Sequence, residues 1–502
     1  MSHKQVTLAI QSTCAAMIAA TALGCTAQAE ANDPNLDRFY GQQLQWKSCD
    51  DPKLDPAGAK CTDVTVPLNY AEPQGETITV AISRIAATDP AQRHGVILSN
   101  SGGPGGPGLD FMVDVGAAMT PDVRARYDLI GIDPRGVGRS TPVDCHWPRG
   151  FGLQSTGTDG AGFAETVAAQ SNLAARCAAT EGARLRYFTT RNTARDMDVI
   201  RGALGEEKIS YYGTSYGTYL GSVFTQMFPE RSDRIVLDSS ADPDRYGPVG
   251  MMQDMGAPNE VALDMWADFM AAHDGDYHFG TAREQVRGKL VDLIDRAAAD
   301  PIRLGDFAID DHTLPMMLFT GLDDPRKYPK LAAQIRQVAD AAEGKPVEIL
   351  PELNADLSFM LNAQPRDGSA QMAIMCGDIE APRDPSWYRR NVEAARTTQP
   401  IFGAFTNQIT PCAFWAPPAE PPTRVRNSVP SLIVQSTGDT RTTYQGAQAL
   451  HRALSASRLV TLRDVPIHWI FGNYPNKCTD DMVNTYFRDG TLPAADVTCP
   501  AD

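Results

Sequence analysis

A serine flanked by glycines is the feature that most restricts how this chain can fold. The motif Gly213-Thr-Ser215-Tyr-Gly217 follows a β-type run from Ile209 to Tyr212 and precedes a helix-compatible run from Tyr219 to Phe228. A turn that passes directly from strand to helix is crowded, so residues two before and two after the serine must lack side chains. The pattern therefore predicts a serine hydroxyl exposed at the end of a strand. A chance Gly-x-Ser-x-Gly in a loop is the alternative.

Length and charge limit the domain count and the partners of the chain. The chain has 502 residues, more than one hydrophobic core usually holds, so we expect two domains or one domain with a large insertion. The formal net charge is −16 and no basic cluster is present, which argues against a nucleic-acid partner. The acidity is compatible with a cationic ligand, such as a peptide amino terminus, and equally with a role in solubility.

The first 29 residues are predicted to be an export signal. His3 and Lys4 precede an apolar stretch from Val6 to Leu23, and Ala27-Gln-Ala29 supplies a small-x-small cleavage site. Lipidation at Cys25 is the alternative, but the residue three before it is alanine rather than leucine. No later stretch reaches the roughly 20 apolar residues of a membrane span. We therefore expect an exported protein, secreted or periplasmic, whose oligomeric state stays open.

Cysteine usage agrees with export. Of ten cysteines, Cys14 and Cys25 leave with the predicted signal, and eight remain. An even number in an exported chain implies disulfides, although eight cysteines allow roughly a hundred pairings. Clustering along the chain suggests that neighbours pair, namely Cys49 with Cys61, Cys145 with Cys177, Cys376 with Cys412, and Cys478 with Cys499. The chain has no close Cys-x-x-Cys or Cys/His pairing, so we expect no metal and no cofactor.

Alternating strands and helices predict a mostly parallel sheet covered on both faces. An antiparallel hairpin over 64–70 and 77–85 begins this sheet. Buried strands follow over 95–100, 127–133, 209–212, 234–238, 430–435 and 458–462. The strand over 458–462 is predicted to be the last one in the chain. Helices are predicted between strands over 196–204 and 444–454.

The segment over 240–429 has a different pattern. Helical spacing recurs over 259–272, 283–299 and 328–342, and no strongly apolar strand is present. We interpret it as an inserted, mainly helical cap above the edge where Ser215 points. The predicted organisation is a signal peptide over 1–29, a sheet domain over 30–239 and 430–502, and the cap between these two parts.

A glycine-rich loop follows the strand that ends at Asn100. The run from Gly102 to Gly108 contains only glycine and proline, so it leaves backbone N–H groups closely approachable. We predict that the N–H groups of Gly103 and of Tyr216, at the start of the helix after the serine, form an oxyanion hole. A linker or a phosphate-binding loop is the alternative, and the missing Gly-Lys-Ser/Thr ending argues against the latter.

Ser215 has two candidate partners, which follow it in the chain in the order Asp, His. Asp439 lies in the turn after the predicted strand over 430–435, and His468 lies in the loop after the next strand. Serine needs a base to take its proton, and a carboxylate fixes the imidazole tautomer and stabilises the imidazolium. Structural roles in turns or loops are the alternatives for Asp439 and His468. Asp238 also ends a strand and is the reserve acid.

These motifs together resemble the exported tripeptidyl aminopeptidases of the α/β-hydrolase superfamily, relatives of the proline iminopeptidases. The resemblance rests on residues 100–108, 128–140 and 212–218 and on the run from Asp439 through His468 to Cys499. It implies an α/β-hydrolase fold and the release of short peptides from a free N-terminus. The chain departs from the family pattern at two positions. It has Ile467 where the family usually has glycine, and Pro107 where the family more often has serine. Both changes could alter the pocket and so the preferred peptide length.

An exopeptidase must also hold the ammonium of its peptide substrate. Asp378 and Glu380 are the candidates, because carboxylates bind ammonium by charge-assisted hydrogen bonds and Cys376 would anchor this run. A solvated acidic loop is the alternative. The sequence therefore predicts a serine exopeptidase. A carboxylester hydrolase with the same three residues, or a binding protein on a hydrolase scaffold, are the other possibilities.

Overall fold

The computed structural model describes residues 34–150, 152–362 and 367–501. The predicted signal peptide over 1–29 and the alternative lipidation site at Cys25 lie outside these residues. Within the described ranges, no helix combines the length and the apolar character needed to cross a bilayer.

The described residues form eleven β-strands and eighteen α-helices. The strands are β1 (Lys60–Pro67), β2 (Thr77–Ile85), β3 (Gly95–Asn100), β4 (Tyr127–Ile132), β5 (Ile209–Ser215), β6 (Ser232–Ser240), β7 (Ile302–Leu304), β8 (Phe307–Ile309), β9 (Ser431–Ser436), β10 (Ser457–Leu462) and β11 (Val497–Cys499). The helices are α1 (Asp37–Tyr40), α2 (Phe111–Ala118), α3 (Pro121–Arg124), α4 (Gly160–Thr180), α5 (Thr190–Ala203), α6 (Tyr216–Met227), α7 (Gly250–Asp254), α8 (Gly256–Ala272), α9 (Asp274–Tyr277), α10 (Arg283–Ala299), α11 (Leu314–Gly321), α12 (Tyr328–Ala342), α13 (Pro351–Leu361), α14 (Asp367–Asp378), α15 (Pro385–Ala395), α16 (Gly403–Thr406), α17 (Tyr444–Ala453) and α18 (Lys477–Asp489).

Nine of the strands form one sheet, in the order β1-β2-β4-β3-β5-β6-β9-β10-β11. β2 is antiparallel to its neighbours β1 and β4, and the other neighbouring pairs are parallel. Every residue of β3, β4 and β9 is buried, as expected for parallel strands covered on both faces. The predicted mostly parallel sheet, with an antiparallel hairpin at its start, is confirmed.

Separate apolar cores lie on the two faces of this sheet. On one face, Phe111 of α2 and Phe487 of α18 belong to the core that includes Ile97 of β3. On the other, Val223 of α6 belongs to the core that includes Leu98. Consecutive strand residues point to opposite faces, so the uninterrupted apolar run of β3 feeds both cores.

The far edge of the sheet differs from the prediction. The strand over 458–462 is not the last one, because β11 pairs in parallel with β10 beyond it. β11 has three residues, too few to show an alternating pattern, and the disulfide between Cys478 and Cys499 ties it to α18. α4, with 21 residues, was also not predicted, since its many alanines give only a weak apolar period.

The chain between β6 and β9 is mainly helical in its described part. It contains α7 to α16 and the antiparallel hairpin of β7 and β8. Three of these helices were predicted: α10 and α12 with the observed bounds, and α8 from 259 rather than 256. The hairpin was not predicted, because each strand has only three residues. The boundaries of a cap over 240–429 stay a prediction.

Four disulfides join neighbouring cysteines in the described chain. The pairs are Cys49–Cys61, Cys145–Cys177, Cys376–Cys412 and Cys478–Cys499. Their Cα–Cα distances run from 4.4 to 5.7 Å, the ordinary range for a disulfide. The neighbour pairing expected from clustering is confirmed.

Candidate active site

Ser215 is the last residue of β5, and Tyr216 is the first residue of α6. The backbone of Ser215 has φ 58° and ψ −126°, a positive-φ conformation that residues other than glycine rarely adopt. The flanking glycines are required by crowding. A Cβ on Gly213 would lie 2.5 Å from the Gly217 carbonyl oxygen, and one on Gly217 would lie 2.5 Å from that of Asn100. The strand-to-helix turn therefore has the geometry that presents a nucleophile.

The structure brings His468 and Asp439 into direct contact. The Nδ1 atom of His468 lies 3.0 Å from Oδ1 and 2.9 Å from Oδ2 of Asp439. The backbone N–H of His468 donates to the carbonyl oxygen of Asp323, 3.0 Å away, so the segment between β6 and β9 also holds this residue. The His468 side chain keeps 14% of its surface exposed, while that of Asp439 has none. One ring nitrogen is thus fixed by a buried carboxylate.

The carboxylate of Asp439 is held by the turn that it begins. It accepts hydrogen bonds from the backbone N–H groups of Arg441 (2.7 Å) and Thr442 (3.0 Å) and from the Thr442 hydroxyl (2.9 Å). Burial acts to raise the pKa of Asp439. The charge and hydrogen bond of His468, followed by the backbone N–H donors, outweigh burial and lower this pKa below its ordinary value. The carboxylate therefore stays ionised beside the imidazole.

The glycine-rich loop lies against Ser215. A Cβ on Gly102 would lie 2.7 Å from Cβ and 3.4 Å from Oγ of Ser215, so only glycine leaves room here. The N–H of Gly102 donates to the side-chain oxygen of Asn100, 3.0 Å away. Gly103, the predicted oxyanion donor, follows with φ 107°. The far end of the loop is fixed by Asp133, whose Oδ1 accepts the Gly108 N–H at 2.8 Å.

Asp238, the reserve acid, occupies a different position from Asp439. It is buried near the end of β6 and accepts the backbone N–H of Phe471 at 2.8 Å and the Tyr212 hydroxyl at 2.8 Å. Burial raises the pKa of Asp238 to about 6, although these donors act to lower it. The imidazole of His468 bonds to Asp439, whereas Asp238 bonds to the backbone that follows His468.

The two carboxylates predicted to bind a substrate ammonium have contrasting surroundings. Asp378 ends α14 and is buried; it accepts the backbone N–H of Thr190 (2.8 Å), its hydroxyl (2.5 Å) and the Tyr246 hydroxyl (3.1 Å). Burial raises the pKa of Asp378 to about 7, against these hydrogen bonds. The Glu380 side chain is 59% exposed and pairs with Arg383 at 3.5 Å. The segment that contains Asp378 and Glu380 is therefore partly helical and partly buried, rather than an open acidic loop.

Two further groups at the site were not singled out from the sequence. Thr442 binds Asp439, and Asp133 holds the glycine-rich loop. The signal for Thr442 is present in Asp439-Thr-Arg-Thr442, where an aspartate can accept N–H groups two and three residues on. Asp133 lies in a quoted motif, but its role depends on which loop packs beside that strand end, which no local pattern shows.

The sheet order and the nucleophile turn define an α/β-hydrolase, an enzyme of the serine hydrolase class. Family models agree: a model described as alpha/beta hydrolase fold matches residues 95–298, and one described as TAP-like protein matches residues 399–499. The chain is 35% identical, over 91% of its length and 86% of the relative's, to a tripeptidyl aminopeptidase of Streptomyces lividans. It therefore belongs to the tripeptidyl aminopeptidase family, as its motifs indicated.

More distant relatives carry different activity names. The serine protease Hip1 of Mycobacterium tuberculosis is 28% identical over 96% of both chains. A protein named carboxylesterase B from the same species is 29% identical over 91% of this chain and 90% of the relative. Relatives of this chain thus carry both peptidase and esterase names.

Proposed function

We propose that this protein is an exported serine exopeptidase that releases di- or tripeptides from the free N-terminus of peptides. The contact between His468 and Asp439 carries the hydrolytic part of this proposal. Ser215 pairs with Ser240 of β6, and the N–H of Trp469 donates to the neighbouring Ser239 hydroxyl at 2.8 Å. The loop over 463–471, which carries His468, is therefore bonded beside the strand-to-helix turn at Ser215. The peptide part rests on the similarity to the tripeptidyl aminopeptidase.

In the proposed reaction, Ser215 Oγ attacks the scissile carbonyl while His468 Nε2 takes its proton. Asp439 keeps the other ring nitrogen protonated and stabilises the imidazolium that forms. The imidazolium then protonates the leaving amine, which leaves an acyl-enzyme on Ser215. Water, deprotonated by the same imidazole, attacks the acyl carbon and releases the short peptide.

Gly103 and Tyr216 are the proposed oxyanion donors. Tyr216 is the first residue of α6, where a backbone N–H has no partner within its own helix. The N–H of Gly102 is already bonded to Asn100, which favours the next amide, that of Gly103. Two donors in fixed positions would stabilise the charge that develops on the carbonyl oxygen.

Disulfides support the proposal of export. Four are present in the described chain, and disulfides persist mainly in oxidising compartments. Removal of residues 1–29 and the choice between periplasm and medium stay predictions, which the mass and location of the mature protein in a fractionated host would test.

Substrate class can be tested with three chromogenic compounds: a free-amine tripeptide anilide, its N-acetylated form and a simple p-nitrophenyl ester. We expect kcat/KM for the free-amine anilide to exceed that for the acetylated anilide by about 10²-fold or more, the effect of a lost charge-assisted contact. Comparable turnover of both anilides would contradict an exopeptidase. Efficient ester hydrolysis with no anilide hydrolysis would instead support the carboxylester hydrolase.

Ser215→Ala is the control for the chemistry. A fluorophosphonate should label the wild-type protein and not this variant. Absence of labelling in the wild-type protein would indicate a binding protein without activity and would reject every catalytic role proposed here.

Ammonium binding by Asp378 and Glu380 is proposed as a separate step. Asp378→Asn and Glu380→Gln should each raise KM for the free-amine anilide several-fold and leave KM for the p-nitrophenyl ester unchanged. The existing bonds of Asp378 to Thr190 and Tyr246 would compete with an ammonium, so an unchanged KM would assign Asp378 to the support of these two residues.

A further inference from the structure

The histidine loop, residues 463–471, contains two non-glycine residues with positive φ, Asp464 at 62° and Trp469 at 68°. Most of its backbone belongs to no helix or strand, so its buried N–H groups need acceptors from elsewhere. The loop ends in Ile470 and Phe471, both buried. The groups that accept these N–H groups therefore fix the position of the backbone that follows His468.

Two adjacent residues of β6 accept three consecutive N–H groups of this loop. The N–H of Trp469 donates to Ser239 Oγ at 2.8 Å. The N–H of Ile470 donates to Asp238 Oδ1 at 3.1 Å, and that of Phe471 donates to Asp238 Oδ2 at 2.8 Å. The loop is thus bonded to the end of β6 immediately after the histidine.

The same carboxylate is tied to the strand that ends at the nucleophile. The hydroxyl of Tyr212, three residues before Ser215 on β5, lies 2.8 Å from Asp238 Oδ2 and 2.9 Å from the Phe471 carbonyl oxygen. Ser239 has φ 57°, and its hydroxyl donates to Asp238 Oδ1 at 3.1 Å. One carboxylate therefore connects β5, β6 and the histidine loop.

We propose that Asp238 is a positioning residue that fixes the backbone after His468, so that the imidazole reaches both Asp439 and Ser215. This role rests on the proposed function. Asp238 does not contact the reacting atoms and acts through His468. A full carboxylate is suited to this position, because one group must accept two backbone N–H groups and two hydroxyls without offering a donor of its own.

Asp238→Asn tests this role, since the amide keeps the shape but points an NH₂ group at the loop N–H groups. We expect kcat for the free-amine anilide to fall about 10- to 100-fold, because a displacement near 1 Å can cost that much in rate. KM should change less than two-fold. The rate of fluorophosphonate labelling at Ser215 should fall by the same factor as kcat, and the acid limb of the pH profile of kcat/KM should shift.

The matched control is Asp198→Asn. Asp198 is also a buried carboxylate, but it lies on α5 and binds the Arg201 guanidinium at 2.8 Å and the Tyr40 hydroxyl at 2.6 Å. This variant should lower the melting temperature and leave kcat and the pH profile unchanged. Equal loss of kcat in both variants would show a general effect of stability and would overturn the proposal.

Ser239→Ala provides a milder test if Asp238→Asn fails to fold. It removes one acceptor from the loop, and we expect a two- to five-fold fall in kcat with KM unchanged. Wild-type kcat in a folded Asp238→Asn, or in Ser239→Ala where Asp238→Asn does not fold, would reject the positioning role. Failure of the wild-type protein itself to be labelled would reject the proposed function instead, so the two failures are distinguishable.

Discussion

Two buried aspartates, Asp439 after β9 and Asp238 near the end of β6, have similar local settings and opposite electrostatic outcomes. Each accepts two backbone N–H groups. The pKa of Asp439 is lowered, whereas burial raises the pKa of Asp238 to about 6. The difference is the imidazole of His468, which touches only the first of them. A carboxylate at a strand end becomes a partner for a base only where the fold places a group opposite it that can take up positive charge.

The variant with the largest expected effect on kcat replaces the aspartate that faces the imidazole. Asp439→Asn should lower kcat about 10⁴-fold, because an amide can hold the wrong tautomer of His468. Asp238→Asn should have a much smaller effect, because Asp238 contacts the backbone after His468 and not the imidazole. Steady-state kinetics of both variants on the free-amine anilide measure the ratio. If Asp238→Asn were the more damaging variant, Asp238 and not Asp439 would be the acid of the site.

A smaller test uses the pH dependence of stability. The ordinary pKa of an aspartate is 3.8, and that of Asp238 in the folded protein is about 6. The folded state therefore holds this proton more tightly. The stabilisation is full below about pH 4 and is lost as the pH rises through 6. Asparagine does not titrate, so the free energy of unfolding of the wild-type protein relative to Asp238→Asn should fall by about 2 kcal/mol between pH 4 and pH 7.

Denaturant unfolding at several pH values measures this difference. Asp378→Asn is the matched control, because the pKa of Asp378 is raised to about 7. The free energy of unfolding of the wild-type protein relative to Asp378→Asn should also fall as the pH rises, with a midpoint about one pH unit higher than for Asp238→Asn. A difference between wild type and Asp238→Asn that stays flat from pH 4 to pH 7 would show that Asp238 is not held in the raised-pKa environment described here.

The elements that were predicted well share one physical property: their signal is local. The buried strands β3 and β4 are short, mostly apolar runs, and Gly213 is required by the crowded turn at Ser215, where a Cβ would meet the Gly217 carbonyl oxygen. The four disulfides close short loops, so clustering along the chain was enough to pair the cysteines. β11 and the hairpin of β7 and β8 were missed because three residues carry too little pattern to separate a strand from a loop.

The sequence by itself determined the mostly parallel sheet, the glycine-flanked serine at its carboxyl edge and the order in which serine, aspartate and histidine occur. The order of residues favoured Asp439 over Asp238 as the partner of His468, but only the tertiary structure decided between them, because both aspartates lie near the ends of apolar strands. It also decided that Asp378 is buried among hydroxyls while Glu380, two residues away, is exposed. The charge state of a carboxylate depends on neighbours that are distant in the chain, and packing alone brings those neighbours together.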